Sequence, residues 1–81
     1  MAEIRDDVKQ FILKEFLPGE RPEQLTDSTP LITGGILDSL ATLKLVSFLE
    51  ERFRIQVQAY EADVEHLNNI ASITALVQSK L

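Results

Sequence analysis

Apolar residues recur along the chain in three stretches at helical spacing, and the pattern lapses between them. In the first, Ile4, Val8, Phe11 and Ile12 fall on one stripe with Phe16 at its edge. Asp6, Asp7, Lys9, Lys14 and Glu15 occupy much of the remaining surface. That arrangement predicts an amphipathic helix over residues 3–16. Its acidic residues come early and Lys14 comes late, as the helix dipole prefers. Pro18-Gly19 stops it. A second stripe, Leu45, Val46, Leu49 and Phe53, predicts a helix over residues 38–54 with Asp38 as its cap. The third, Ile73, Leu76 and Val77, predicts a last helix capped by Ser72 and running to the end of the chain. A short helical turn is expected at residues 64–68, after a connector over residues 56–63.

Between the first two helices lie nearly twenty residues without periodicity, punctuated by Pro22, Pro30 and Gly34-Gly35. A loop of that length in so short a chain points to function or to local packing. Leu25, Leu31 and Ile32 are positioned to pin it to the core, and one turn of helix is expected at residues 23–25. The fold class that follows is all-α: an antiparallel bundle of three main helices plus one short helix, in a single domain over residues 1–81. Its expected core is Ile4, Val8, Phe11, Ile12, Leu45, Val46, Leu49, Phe53, Ile73, Leu76 and Val77. Phe48 falls between the faces of the second helix and is unassigned.

Composition narrows what such a bundle can do. With 81 residues, a domain buries roughly 60% of its unfolded surface and has little room for a deep catalytic cleft. The net charge of -5 repels phosphate backbones and anionic lipid surfaces, so a basic protein surface is the better partner. There is no cysteine, which excludes disulfides, thiolate metal sites and a cysteine nucleophile. The first residues lack a signal-peptide layout and no apolar run approaches a membrane span. A soluble, monomeric, cytoplasmic protein is expected.

The chemistry concentrates in Gly34-Gly35-Ile36-Leu37-Asp38-Ser39-Leu40. Two glycines permit a tight backbone path, Leu37 anchors the turn, and Asp38 caps the helix. Ser39 is thereby set in the first helical turn, where unpaired amides and the dipole favour an anion. A phosphodiester on its oxygen would be well placed. These features fit a phosphorylated serine and a phosphopantetheinylated one equally.

Leu37-Asp38-Ser39-Leu40, with Gly34-Gly35 ahead and Leu49-Glu50-Glu51-Arg52-Phe53 behind, resembles the attachment motif of the acyl and peptidyl carrier proteins. The resemblance spans nearly the whole chain. It takes in Thr29-Pro30-Leu31-Ile32 in the loop and Asn69-Ile70-Ala71-Ser72-Ile73 before the last helix. It implies that Ser39 carries a 4'-phosphopantetheine arm, transferred from coenzyme A by a phosphopantetheinyl transferase, with Asp38 helping to present the serine. It further implies a non-catalytic carrier that presents acyl or aminoacyl thioesters to adenylating ligases or synthases. Ala41 and Lys44 stand where acidic residues are often found in fatty-acid carriers, and the tail is closer to carriers served by adenylating ligases or used in specialised pathways.

On the second helix Leu40 and Leu43 fall nearly opposite the core stripe, among Lys44, Ser47, Glu50, Glu51 and Arg54. Leu40 and Leu43, with Ser47 beside them, are therefore an expected contact patch for partner enzymes, and the resemblance implies that Glu50 and Glu51 add acidic recognition residues to that face, solvated helix charges being their plain alternative. Ordinary surface leucines, or Leu40 packed beneath the loop, are the plain alternative. Other chemistries lack parts. His66 is the sole histidine, has no metal-ligand spacing around it, and is expected at a surface or helix end. A triad of Ser39 and His66 has nothing to orient it. Glu61, Asp63 and Glu65 lack the glycine and final glutamate of a calcium loop, and are expected to be solvated. An unmodified acidic adaptor and a Ser39 phosphorylation switch remain the rival functions.

Overall fold

The computed structural model describes residues 2–81. Four α-helices make the frame: α1 (Ala2–Phe16), α2 (Ser39–Phe53), α3 (Val64–Leu67) and α4 (Ile70–Lys80). Two 3₁₀ turns, Pro22–Gln24 and Ala59–Glu61, lie in the connections, and no strand occurs among the described residues. The helical periodicity of the sequence is thus realised three times, and the short helix sits where the turn was expected. α1 packs most extensively on α4, and α3 also rests on α4. α2 meets α1.

The apolar stripes explain this packing. Ile4, Val8 and Ile12 of α1, Leu45 and Leu49 of α2, and Ile73, Leu76 and Val77 of α4 are all buried in one cluster. Fully burying a side chain of this size contributes about 1.5–3 kcal/mol. The core is wider than the three stripes suggest. It also takes in Leu13, Leu25, Leu31, Leu37, Ala41, Leu67 and Ile70. Four of the fifteen buried apolar residues, Leu25, Leu31, Leu37 and Leu67, therefore lie outside the three long helices, so loop and short helix are integral to the core.

Phe11, Val46 and Phe53, expected in the core, are only half-buried at its margin. For the two phenylalanines the reason is aromatic packing along the α1–α2 seam. Phe48 stacks on Phe11 with centroids 4.1 Å apart and an interplanar angle of 13°. Phe16 meets Phe11 edge-on at 5.6 Å, and Phe53 meets Phe48 edge-on at 6.3 Å. Phe48 thus finds its place in a ladder of rings that closes the seam from outside. Arg52 of α2 reaches Asp7 of α1 at 2.8 Å across the same seam.

The start of α4 departs from expectation. Its cap is Asn69 in an extended conformation, and Asn69 Oδ1 accepts from the amide of Ser72 at 2.7 Å. Ser72 lies within the first helical turn. Ile70 is fully buried, so the apolar stripe of α4 begins three residues before Ile73. An asparagine satisfies a free helix amide as well as a serine does. α2 ends at Arg54, whose φ of 55° and ψ of 48° turn the chain in the left-handed region.

Candidate functional site

The long loop is stitched to the bundle along its length. Leu25 and Leu31 are buried, and Ile32 is half-buried against the core. The carbonyl of Asp27 accepts from the amide of Ala71 at 3.1 Å, and the Asp27 carboxylate meets Arg5 at 3.2 Å. Farther on, the amide of Leu31 donates to the carbonyl of Asn68 at 2.6 Å. The amides of Ile32 and Thr33 both donate to Asn68 Oδ1, at 2.9 and 3.0 Å. The carbonyl of Leu31 in turn accepts from Ile36 and Leu37, each at 2.9 Å. Gly34 packs so tightly that a Cβ there would collide with the Pro30 carbonyl oxygen, and Gly35 has φ +83°. Both glycines are required by this path, one for space and the other for conformation.

The path delivers the chain to α2 in a fixed register. Leu37 is buried, and Asp38 follows in an extended conformation with φ −87° and ψ −173°. Asp38 Oδ1 accepts from the amide of Ala41 at 2.8 Å, and its carbonyl accepts from the amide and hydroxyl of Thr42. Ser39 is the first helical residue and is exposed. Ser39 thus lies at the N-terminus of a fifteen-residue helix, a position suited to a negatively charged substituent. Ala41 is buried, so its side chain faces the core.

Ser39 borders a cleft of about 600 Å³ between the start of α2 and the segment leading into α3. Ile32, Leu37, Leu43, Ala62 and Val64 give it apolar walls, and Asp38, Thr42 and Asp63 are its other polar lining. Leu43 also contributes to a second groove, about 370 Å³, which runs along the α1–α2 seam past Phe11, Phe48 and Glu51. Leu40 and Leu43 are 64% and 62% exposed, so neither is packed beneath the loop. Ser47 and Glu51 are exposed on the same helix. Glu50 differs from them. It is half-buried, and its Oε2 accepts from the amide of Val57 at 2.9 Å, which ties the chain after α2 back to the helix.

Of the three charges expected to be solvated in the segment opposite Ser39, Asp63 and Glu65 are exposed and Glu61 is not. Glu61 is buried and makes an ion pair of 2.7 Å with Lys80 of α4. Its carboxylate also accepts from the amide of Gln58 at 2.9 Å. The hydrogen bond from Lys80, then that from Gln58, lower its pKa from the ordinary value. Asp63 caps α3, accepting from the amide of His66 at 3.0 Å. The His66 ring, half-buried at the helix end, lies 2.7 Å from the same oxygen. That contact raises the pKa of His66 and lowers that of Asp63. His66 is thus engaged by Asp63 and is not part of the lining of the cleft that holds Ser39. Among the described residues, no three His, Cys, Asp or Glu side chains are grouped to hold a metal ion. Nor is any described helix long and apolar enough to cross a membrane.

Asn68 and Lys80 carry much of this architecture, and no sequence pattern singles them out. The paired asparagines Asn68-Asn69 at a helix boundary were the available signal, since asparagine is a frequent terminal and turn residue.

No protein-family model matches the chain. Among curated proteins, it is 30% identical over 77 residues to the acyl carrier protein of Chlamydia muridarum, covering 95% of each. It is 34% identical over 67 residues to the probable acyl carrier protein PigG of Serratia sp. (strain ATCC 39006), covering 83% of this chain and 76% of the relative. Among solved structures, a chain from the crystal structure of an FAD-dependent dehydrogenase superposes with a TM-score of 0.78 at 31% identity. That match covers 86% of this chain and 97% of the other.

Proposed function

This chain belongs to the acyl carrier protein family, and from that membership we propose that Ser39 is the residue bearing a covalent 4'-phosphopantetheine arm. The observation that carries the proposal is the exposed Ser39 hydroxyl at the first position of α2, with Asp38 capping the helix and an apolar cleft alongside. The site fits the group: the helix terminus suits the phosphodiester charge, and the cleft offers an apolar surface next to the point of attachment.

In the modification, Ser39 Oγ attacks the phosphorus of coenzyme A that bears the pantetheine. A new O–P bond forms as the bond to the adenosine bisphosphate breaks, and the serine proton passes to a base of the modifying enzyme. Once attached, the arm supplies a terminal thiol that holds acyl or aminoacyl groups as thioesters. The chain has no cysteine, so this thiol has no competitor within the protein. Asp38 holds Ser39 in the first turn by occupying the Ala41 amide.

Leu40, Leu43, Ser47 and Glu51 form the face we assign to partner enzymes, with Glu50 contributing its remaining carboxylate oxygen. The leucines supply apolar contact, and the net negative chain steers basic partner surfaces towards it. Those partners are a phosphopantetheinyl transferase and an acyl- or aminoacyl-adenylating ligase or synthase. The carrier itself is a cytoplasmic monomer that performs no catalysis.

The deciding experiment incubates the purified protein with coenzyme A and a broad-specificity phosphopantetheinyl transferase, followed by intact mass measurement. One phosphopantetheine is gained by the natural chain and none by Ser39→Ala. A folded natural chain that gains nothing, under conditions that modify another carrier, overturns the reading and leaves a non-covalent adaptor.

A further inference from the structure

We propose that Asn68, the residue that closes α3, is a positioning residue that sets the geometry in which Ser39 is offered to its modifying enzyme; this rests on Ser39 being the attachment site. Asn68 receives three consecutive loop amides: Leu31 on its carbonyl, and Ile32 and Thr33 on Oδ1. Its side-chain nitrogen also reaches Thr33 Oγ1 at 3.3 Å. One residue thus supplies the hydrogen-bond acceptors for three successive positions of a segment with no regular structure.

Asn68 is itself held from both directions. Its amide donates to the carbonyl of Val64, the first residue of α3, and the next residue, Asn69, caps α4. From Thr33 onward the chain has little freedom to absorb a shift. Gly34 is wedged against Pro30, Leu31 ties back Ile36 and Leu37, and Leu37 is buried immediately before Asp38-Ser39. The helix that Asn68 closes, α3, contributes Val64 to the cleft beside Ser39. Asn68 therefore joins the two sides of the cleft, and an enzyme that engages α3 meets Ser39 at a set position.

Removing the side chain strands two amides and lets the loop sample other paths. Ser39 is then correctly presented in only a fraction of molecules, and the apparent affinity of the modifying enzyme falls by that fraction. The loop can still be ordered on docking, so the loss enters KM more than kcat. Asn68→Asp keeps an acceptor oxygen at the same place and is the conservative variant.

The test measures modification kinetics with coenzyme A and a phosphopantetheinyl transferase for the natural chain, Asn68→Ala and Asn68→Asp, at a temperature where circular dichroism shows each folded. Amide hydrogen exchange at Ile32 and Thr33 is followed in parallel. The expected result is a rise in KM of about tenfold for Asn68→Ala with kcat nearly kept, recovery in Asn68→Asp, and slow exchange at both amides in the natural chain only. An unchanged KM in Asn68→Ala, an Asp variant as impaired as the Ala variant, or fast exchange at Ile32 and Thr33 in the natural chain overturns the role. If Asn68→Ala does not fold, the Asp variant and the natural chain's exchange decide the matter. A natural chain that is never modified instead sinks the attachment site, and the role of Asn68 falls with it.

Discussion

Lys80 Nζ lies 2.7 Å from Glu61 Oε1, in a pair whose side chains keep only 19% and 11% of their exposure. The last turn of α4 is thereby bound to the 3₁₀ turn Ala59–Glu61 that precedes the cleft segment. Lys80 is the main reason that the Glu61 pKa is lowered. A carboxylate with a depressed folded pKa contributes stability above its unfolded value of 4.5, and that contribution is lost as pH falls through the folded value. Lys80→Met is expected to lower Tm at neutral pH, with the difference from the natural chain shrinking below pH 4.5. Thermal melts across that range check it. A difference that stays constant in acid would remove the ion pair as the cause.

Asp63 and His66 predict a second pH dependence of opposite sign. The His66 pKa is raised, first by its hydrogen bond to Asp63 and further by the charges of Asp63, Glu65 and Glu61. Its stabilising share is complete below 6.5 and disappears as pH rises through the raised value. Asp63, with its lowered pKa, loses its share only in acid, below 3.8. An NMR titration of the His66 ring should therefore give a midpoint above 6.5 that returns towards it in Asp63→Ala. Equal midpoints in the two proteins would contradict the pairing.

The two loop glycines should respond differently to alanine. At Gly35 the new Cβ meets open space, and the cost is that of φ +83° alone, about 1–2 kcal/mol. At Gly34 it strikes the Pro30 carbonyl oxygen, so the backbone itself must move. Gly34→Ala is expected to lose more stability in urea unfolding than Gly35→Ala and to slow modification of Ser39. Equal losses would show that the loop yields at Gly34.

Asp38→Ala removes the acceptor for the Ala41 amide and should cost about 1 kcal/mol of unfolding free energy, with Asp38→Asn largely restoring it. Urea titrations of the three proteins measure this. An Ala variant as stable as the natural chain would mean that solvent caps α2 equally well.

Two leucines a single helical half-turn apart offer a contrast. Leu45 is fully buried, and truncation to alanine should cost about 2–5 kcal/mol. Leu43 is 62% exposed, so Leu43→Glu should change stability by less than about 0.5 kcal/mol while slowing modification by the transferase. Urea unfolding and intact-mass time courses separate the effects. An unslowed Leu43→Glu variant would take Leu43 out of the partner face.

The helices were legible because each presents an apolar face that has one place to go. Ile4, Val8 and Ile12, then Leu45 and Leu49, then Ile73, Leu76 and Val77 recur with the helical period, and that period needs no knowledge of neighbours. The cap at Asp38 and the placement of Ser39 after it were legible for the same reason, since both are set within a few residues of chain. The aromatic ladder was not. Phe11 and Phe48 belong to different helices, and their stacking depends on how α1 and α2 approach each other.

What the sequence determined by itself is therefore local: where helices run, which faces are apolar, and that a serine opens the second helix behind a capped turn. The fold alone decided which distant residues meet. Glu61 became a buried ion-pair partner because α4 ends beside it with Lys80, nineteen positions later. Asn68 became the anchor of a loop 35 to 37 residues earlier because α3 ends against it. Hydrogen bonds and ion pairs of this range have no periodic trace in the chain. They form only once burial of the apolar stripes has fixed the helices in space.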